Sequence, residues 1–541
     1  MKQLLLKIAL SLSAIAGTAF VSTSARATTY YVSDCQSGAS AGCTAGSSAN
    51  NGTSASTPKQ TFAQVPALVA GDQVLFARGG SWTNAAFALK GGTSATSPII
   101  IDAYSPTWGG TAKPLLNVSG AGVVMLQIWS GIGYTVRNLR LQGAANDVNS
   151  RGVFIYTNNN KAVTNVTIDS LEIDQAGLGV YCASSSSTIR PDFVTIKNST
   201  ITNGSYHGVL SDCDDLLVDS NTLDNNGTQA VFHHNIYLDG VGNRNTLSNN
   251  TLSRSAFISG ACAATDIEVE GTKNTLAITG NTINESTGAG SGCWGIEVTT
   301  GYAGIVEGHY NVSIAGNRVL NVGNTGIRTS SCNTCTIENN VIAWTAALAA
   351  TGISTGSEMS YGTDPDAGDS KVTVRNNSIY FTNSAGGSNG IRVGADGPND
   401  TVVVSNLIYY AAGTGANCFD TTGAALGHFL AFNNNLCYHA TGTGNYSDKY
   451  ATLAAAQAAG FDSAGNSANP GLSVFPTLAN RLSMALVGTT SPAYNAGNTT
   501  YSAKTDINGV TRDAQPDIGA YEFSVVKDTV PPSPPGSVII Q

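Results

Sequence analysis

Hydrophobic and polar positions along the chain repeat one short theme. An apolar-x-x-Asn-x-apolar element recurs as VDSNTL ending at Leu223, LSNNTL at Leu252, ITGNTI at Ile283, IAGNRV at Val319, IENNVI at Ile342 and VRNNSI at Ile379. Its asparagines are Asn221, Asn250, Asn281, Asn317, Asn340 and Asn377, with Asn435 as a later match. Each is followed by a second run in which apolar and polar residues alternate, the pattern of a strand with one buried face. These runs begin at Gly152, Gly179, Gly208, Asn235, Asp266, Gly295, Gly326, Gly352, Gly390 and Asn417, a spacing that averages about 29 residues.

Short strands at an irregular period of this size predict an all-β solenoid, a right-handed parallel β-helix of about ten or more coils. Each coil would rise ~4.8 Å on the last, with Ile, Val and Leu stacking inward. The recurring Asn would sit where a strand bends, its amide bonding its neighbours and the turn backbone. A leucine-rich repeat needs Leu at fixed offsets, and a propeller needs Trp-Asp signatures. Neither pattern is present.

The ends carry a different signal. YYVSD (30–34) and NGTSASTPKQTFAQVPALVAGDQVLF (51–76) read as a strand, a short capping helix near 62–69, then the first coil. With SPAYNAG (491–497) and PDIGAYEF (516–523), these segments resemble the pectate-lyase-like right-handed parallel β-helix proteins of bacteria, with a C-terminal pattern of the choice-of-anchor type. That resemblance covers most of the chain. It implies a polysaccharide-active group that includes lyases, glycoside hydrolases, epimerases and non-enzymatic surface proteins. Neither the paired-Asp signature of polygalacturonases nor the Lys/Arg pair of alginate or chondroitin lyases is clear, so no family catalytic residue is carried over.

The resulting division is a signal peptide at 1–27, an N-terminal cap and first coil at 28–90, the β-helix at 91–446, a C-terminal capping segment at 447–523 and a Pro-rich tail at 524–541. Lys2 and Lys7 before an apolar run, then Ala25-Arg26-Ala27, give the leader its export pattern and predict a secreted or periplasmic protein. No other apolar stretch approaches the ~18 residues needed to cross a bilayer. ATLAAAQAAG (451–460) predicts a short helix, and the Pro-rich tail resembles the lead-in to a fibronectin-like module or anchor.

Composition narrows the partners. Charged residues make up 11% of the chain, Gly contributes 61 residues and Met 4, which argues against a helical bundle. A formal charge of −9 without a basic run excludes nucleic acid as a natural partner. A monomer acting on a polysaccharide is expected. Ten cysteines suit an oxidising compartment. Coil stacking predicts the disulfide Cys262–Cys293, Cys35–Cys43 should close the N-terminal loop, and Cys182–Cys213 and Cys418–Cys437 are further expected pairs. A local bridge is expected at Cys332–Cys335.

Aligning the alternating strands turns the sparse charge into a map. The third, outward position reads Phe154, Tyr181, Leu210, Tyr237, Glu268, Glu297, Arg328, Ser354, Arg392, Phe419. The fifth reads Tyr156, Ala183, Asp212, Asp239, Glu270, Thr299. His207, His233, His234 and Trp294 lie just before the strands. Asp212, Asp239 and Glu270 would stand ~5 Å apart, and so close they cannot all stay ionised without a proton, cation or basic neighbour.

Carboxyl pairs at such spacings perform glycoside hydrolysis. Asp239 and Glu270 are the expected acid/base pair, with Asp212, Glu268 and Glu297 as assistants or metal ligands. His207, His233, His234, Tyr237, Trp294, Arg328 and Arg392 would bind or orient sugar. Hydrolysis of a neutral or mildly charged glycan needs no cofactor. A calcium-dependent lyase and a non-catalytic glycan-binding surface protein are the alternatives, and carboxylates at this spacing could hold Ca²⁺. Asp364, Asp366 and Asp369, in GTDPDAGDSK, read as a solvated loop with the same capacity for calcium.

Overall fold

The structure, a computed structural model, describes residues 27–523 except 159–160, 187, 287–291, 303, 357–365, 367 and 395–397. The expected leader and Pro-rich tail lie outside the described residues, apart from Ala27. So does Asp364.

Among the described residues forty short strands form three parallel sheets of 14, 13 and 13 strands, and from the second strand, Gln73–Ala77, the chain visits them in fixed rotation. This is the expected parallel β-helix. Strands of the third sheet show why it holds: Ile236 and Leu238, Ile267 and Val269, Ile296 and Val298 are wholly buried, while the residue between each pair faces out. Further along, the core becomes aromatic, with Trp344, Phe381, Tyr410 and His439 stacked at centroid distances of 4.6, 4.6 and 4.8 Å.

The asparagines mark the bend between the first and second sheets. From Asn221 through Asn250, Asn281, Asn317, Asn340, Asn377 and Asn406 to Asn435, each Nδ2 donates to the next Oδ1 at 3.0–3.1 Å. Asn406, in the equivalent stretch Val403–Ile408, belongs to the ladder although the sequence pattern had not singled it out. The residue before each ladder member is left-handed, at φ 50–67°. Gly280 and Gly316 occupy two of these positions at no steric penalty. Each buried amide is thereby satisfied by the chain above and below.

Glycine opens the third-sheet strands for a different reason. A Cβ on Gly295 would stand 2.4 Å from the Gly326 carbonyl oxygen, and one on Gly352 would stand 2.4 Å from that of Gly390. Coils pass too closely there for a side chain. In the register, Asn235 and Asp266 interrupt this glycine column between Gly208 and Gly295.

Three expectations change. The N-terminal helix is one 3₁₀ turn, Phe62–Gln64, because Pro66 forces Val65 into an extended conformation. In the outward column Asp420, not Phe419, follows Arg392. Asn417 pairs with Asn389 rather than with Gly390, and that one-residue slip turns Phe419 into the core, 1% exposed. Asp369 is buried, accepting the Cys332 amide at 2.8 Å, and Asp366 accepts that of Glu307 at 3.0 Å, so these two are not simply solvated.

The helix Leu453–Ala458 forms as expected, capped by Thr452. Beyond it the segment to Phe523 lies across the outer face of the second sheet, where Leu482, Met484, Leu486, Ile518 and Tyr521 cover Leu320, Val341, Tyr380, Leu407 and Tyr409. All five expected disulfides are formed. Among the described residues no helix is long and apolar enough to cross a membrane.

Candidate active site

Register builds the site. Leu210, Tyr237, Glu268, Glu297 and Arg328 are successive partners on five strands of the third sheet, all on its outer face. Asp212, Asp239, Glu270 and Thr299 follow four of these strands, their amides bonded to the coil before at 2.9–3.1 Å. The second column thus continues the first two residues further on. Both columns stand where the alternation predicts.

A groove of about 440 Å³ opens over the later coils, lined by Glu268, Glu270, Glu297, Trp294, His234 and Arg328. Sequence reasoning missed the rest of its wall, which includes Val231, Thr265 and Thr300, with Phe232 at the rim. Phe232 is 79% exposed, an apolar ring held in water beside the groove. Asp212 and Asp239 do not line the groove. Neither does Arg392, which pairs with Asp420 at 2.8 Å.

The carboxyls differ in environment. Burial raises Glu268 well above the carboxylate range, and the neighbouring Glu297 charge adds to this. Arg328 Nη1 stands 2.7 Å from Glu297 Oε1, and Thr265 Oγ1 donates to Oε2 at 3.2 Å. Arg328 and Thr265 thus both face the Glu297 carboxyl, while burial and the Glu297 charge favour the protonated form of Glu268. Glu270 is also raised by burial, although it accepts the Tyr237 hydroxyl at 2.5 Å.

A second chain of contacts runs away from the groove. Tyr237 Oη lies 3.1 Å from Tyr302 Oη, and the Tyr302 hydroxyl donates to Asp239. Burial raises Asp239, which Lys273 opposes, and lifts Asp212 to about 6. Lys273 is 1% exposed, brought down to about 8 by burial, and donates to the Asp239 and Gly240 carbonyls at 2.7 and 2.8 Å. Tyr302 reaches over from the loop after Thr300, where Glu307 accepts the Gly301 and Tyr302 amides at 2.8 and 2.7 Å. Nothing in the strand pattern could reveal this residue, because the loop length is not periodic.

The histidines lie behind Tyr237. His207 Nδ1 accepts the His234 amide at 2.9 Å, and the two rings stack at 5.4 Å. Burial lowers His207 well below its usual range and His234 to about 4, so both are neutral. They pack against the Tyr237 ring at 5.1 and 5.3 Å. His233 is half-buried, its Nδ1 3.2 Å from the Ser205 carbonyl. Among the described residues, no three of these carboxylates bring one oxygen each within 4.8 Å of one another. The one trio of metal-ligating side chains so arranged is Cys418, Cys437 and His439, and those cysteines are bonded together.

A parallel solenoid with a carboxyl-lined groove on one sheet defines a class of architecture. The sequence itself places the chain further: residues 121–301 and 302–457, more than half its length, match the family described as the right-handed β-helix region, and the chain belongs to that family. No curated protein matches it significantly. Among solved structures it is similar to an alginate lyase from Paenibacillus sp., at 17% identity and a TM-score of 0.36 over 56% of this chain and 91% of that one. A lacto-N-biosidase of Eubacterium ramulus is 14% identical, TM-score 0.39, over 74% of this chain and 65% of its own. A pectate lyase, Pel9A, is 14% identical, TM-score 0.37, over 92% and 98%.

Proposed function

We propose that this protein is an exported enzyme that hydrolyses glycosidic bonds of a polysaccharide lying in the groove of the third sheet. The observation that carries this is one groove holding a carboxyl that keeps its proton, Glu268, and a half-exposed carboxyl, Glu270. The five disulfides suit an extracellular setting.

Glu268 serves as general acid, and Arg328 keeps Glu297 ionised as its proton partner. Glu270, held by Tyr237, draws the proton from the attacking water. The two residues are separated by one intervening position, a backbone spacing of about 7 Å, and inverting hydrolysis would require their carboxyls to stand about 6.5–9.5 Å apart with a water between. Trp294 and Phe232 offer ring faces to a pyranose. Asp239, with Asp212 beside it, tunes Glu270 through Tyr302 and Tyr237 rather than touching substrate.

A glycan panel with and without EDTA tests this, read by new reducing ends and by the absorbance of unsaturated uronates. New reducing ends without unsaturation are expected, with Glu268→Gln and Glu270→Gln each losing about 10²–10⁴-fold in rate. Chelator-sensitive, unsaturated products would mean a calcium-dependent lyase instead, and binding without cleavage a surface protein.

A further inference from the structure

The outer face of the third sheet does not stop at the carboxyls. On the coils before them its two columns turn aromatic. Trp129 pairs in register with Tyr156, and Phe154 pairs with Tyr181. Phe154 stacks on Tyr156 at 4.9 Å and on Tyr181 at 5.1 Å. The Arg151 guanidinium lies 4.6 Å above Phe154 and 5.2 Å above Tyr181, and Lys90 Nζ stands 6.0 Å from the Trp129 ring. Among the described residues neither cation has a salt-bridge partner, in contrast to Arg137, Arg244, Arg254 and Arg375, each paired with a carboxylate.

We infer that this strip is a second glycan-binding subsite, and that it takes acidic groups of the same polysaccharide chain. The inference rests on the proposed reading of the groove and names the substrate class more closely. Leu210 and Tyr237 join strip and groove in unbroken register, so one extended polymer can follow both. Five steps of about 4.8 Å separate the Trp129 strand from the Glu268 strand, so the strip adds about 24 Å of track.

The part-exposed rings of Trp129, Tyr156 and Tyr181, with the buried Phe154 beneath them, suit pyranose faces, and the cations beside them suit a carboxylate or sulfate. The groove itself presents the Glu270 and Glu297 carboxylates beside the protonated Glu268, and those two would repel an acidic unit there. The polymer this surface fits is therefore neutral across the carboxyls and acidic at the strip: a sparsely or alternately charged glycan, not a uniform polyuronate.

The test uses the inactive Glu270→Gln protein, so binding is read without cleavage. Glucuronoxylan and hyaluronan are titrated at low salt, each beside its carboxyl-reduced derivative, by calorimetry and by tryptophan fluorescence. The native form of at least one glycan is expected to bind about tenfold tighter than its reduced form, and added salt should erase the difference. Arg151→Gln with Lys90→Gln should abolish that preference, and Tyr181→Ala should weaken both forms. Unchanged melting temperatures establish that these outward-facing changes leave the fold intact. Equal binding of native and reduced glycans, a preference that survives the double substitution, or no binding of either glycan overturns the inference. If the strip binds as described but the parent protein cleaves no glycan, the hydrolase reading fails and the subsite stands.

Discussion

Single residues divide by what positions them. Glu268, Glu297, Glu270 and Arg328 were legible in the sequence because strand period alone decides which way they face, and register then stacks them. Phe232, Thr265 and Tyr302 were not, since each comes from a connection whose length varies from coil to coil. Phe419 was misread because alternation does not say where pairing starts. Gly301 belongs with the illegible group: a Cβ there would stand 2.6 Å from the Glu270 carboxyl carbon. Gly301→Ala should therefore displace Glu270 or lift the Tyr302 loop. Activity toward whichever glycan is cleaved is expected to fall about tenfold or more, with the melting temperature nearly unchanged, since the loop carries little of the core. A parent-like rate would show that the loop does not position Glu270.

At the scale of an element, the repeat was readable wherever one side chain does the same work in each coil. The asparagine ladder is such a case, and so is the glycine column. Where the chain departs from the column, the reason lies in contacts between coils rather than in the repeat. Asp266, wholly buried, accepts the Asn235 amide at 2.8 Å, and its carboxyl contacts Glu285, whose Oε1 takes the Ser255 amide at 3.0 Å. Burial raises Asp266 to about 7, and burial with the Asp266 charge raises Glu285 well above its range.

Folding thus captures protons that the unfolded chain releases near pH 4. The stability these carboxyls contribute is complete below that pH and is lost as pH rises through about 7. His234 and His309, both lowered to about 4, act oppositely, losing their contribution as pH falls from about 6.5 toward 4. Asp266→Asn keeps the acceptor for Asn235 but removes the titration. Its melting temperature should decline less between pH 5 and pH 8 than that of the parent, as scanning calorimetry would show. An unchanged decline would mean that the pair does not titrate with folding.

Over the whole molecule, a solenoid makes each coil depend on its neighbours, and one long outer face is left for something else to cover. Nothing in the repeat says which face the segment after Ala459 covers, because its contacts span more than a hundred residues and follow no period. Arg512 shows how firmly it is attached. Its guanidinium pairs with Glu522 at 2.8 Å, with side chains 2% and 5% exposed, and donates to Asn339 Oδ1 at 3.1 Å and the Gly519 carbonyl at 2.7 Å. Asn339 is the left-handed residue just before ladder member Asn340, so this one side chain ties the segment to the bend of the helix. Arg512→Ala leaves the Glu522 carboxylate buried without its partner, a loss of about 3–5 kcal/mol where a buried pair is broken from one side. Arg512→Ala with Glu522→Gln should recover part of that, because the stranded charge is gone. The segment should loosen first, so proteolysis in the single variant should begin after Ala459 and leave the disulfide-linked coils intact. If both variants melt with the parent and resist protease equally, the segment is held by its apolar contacts alone.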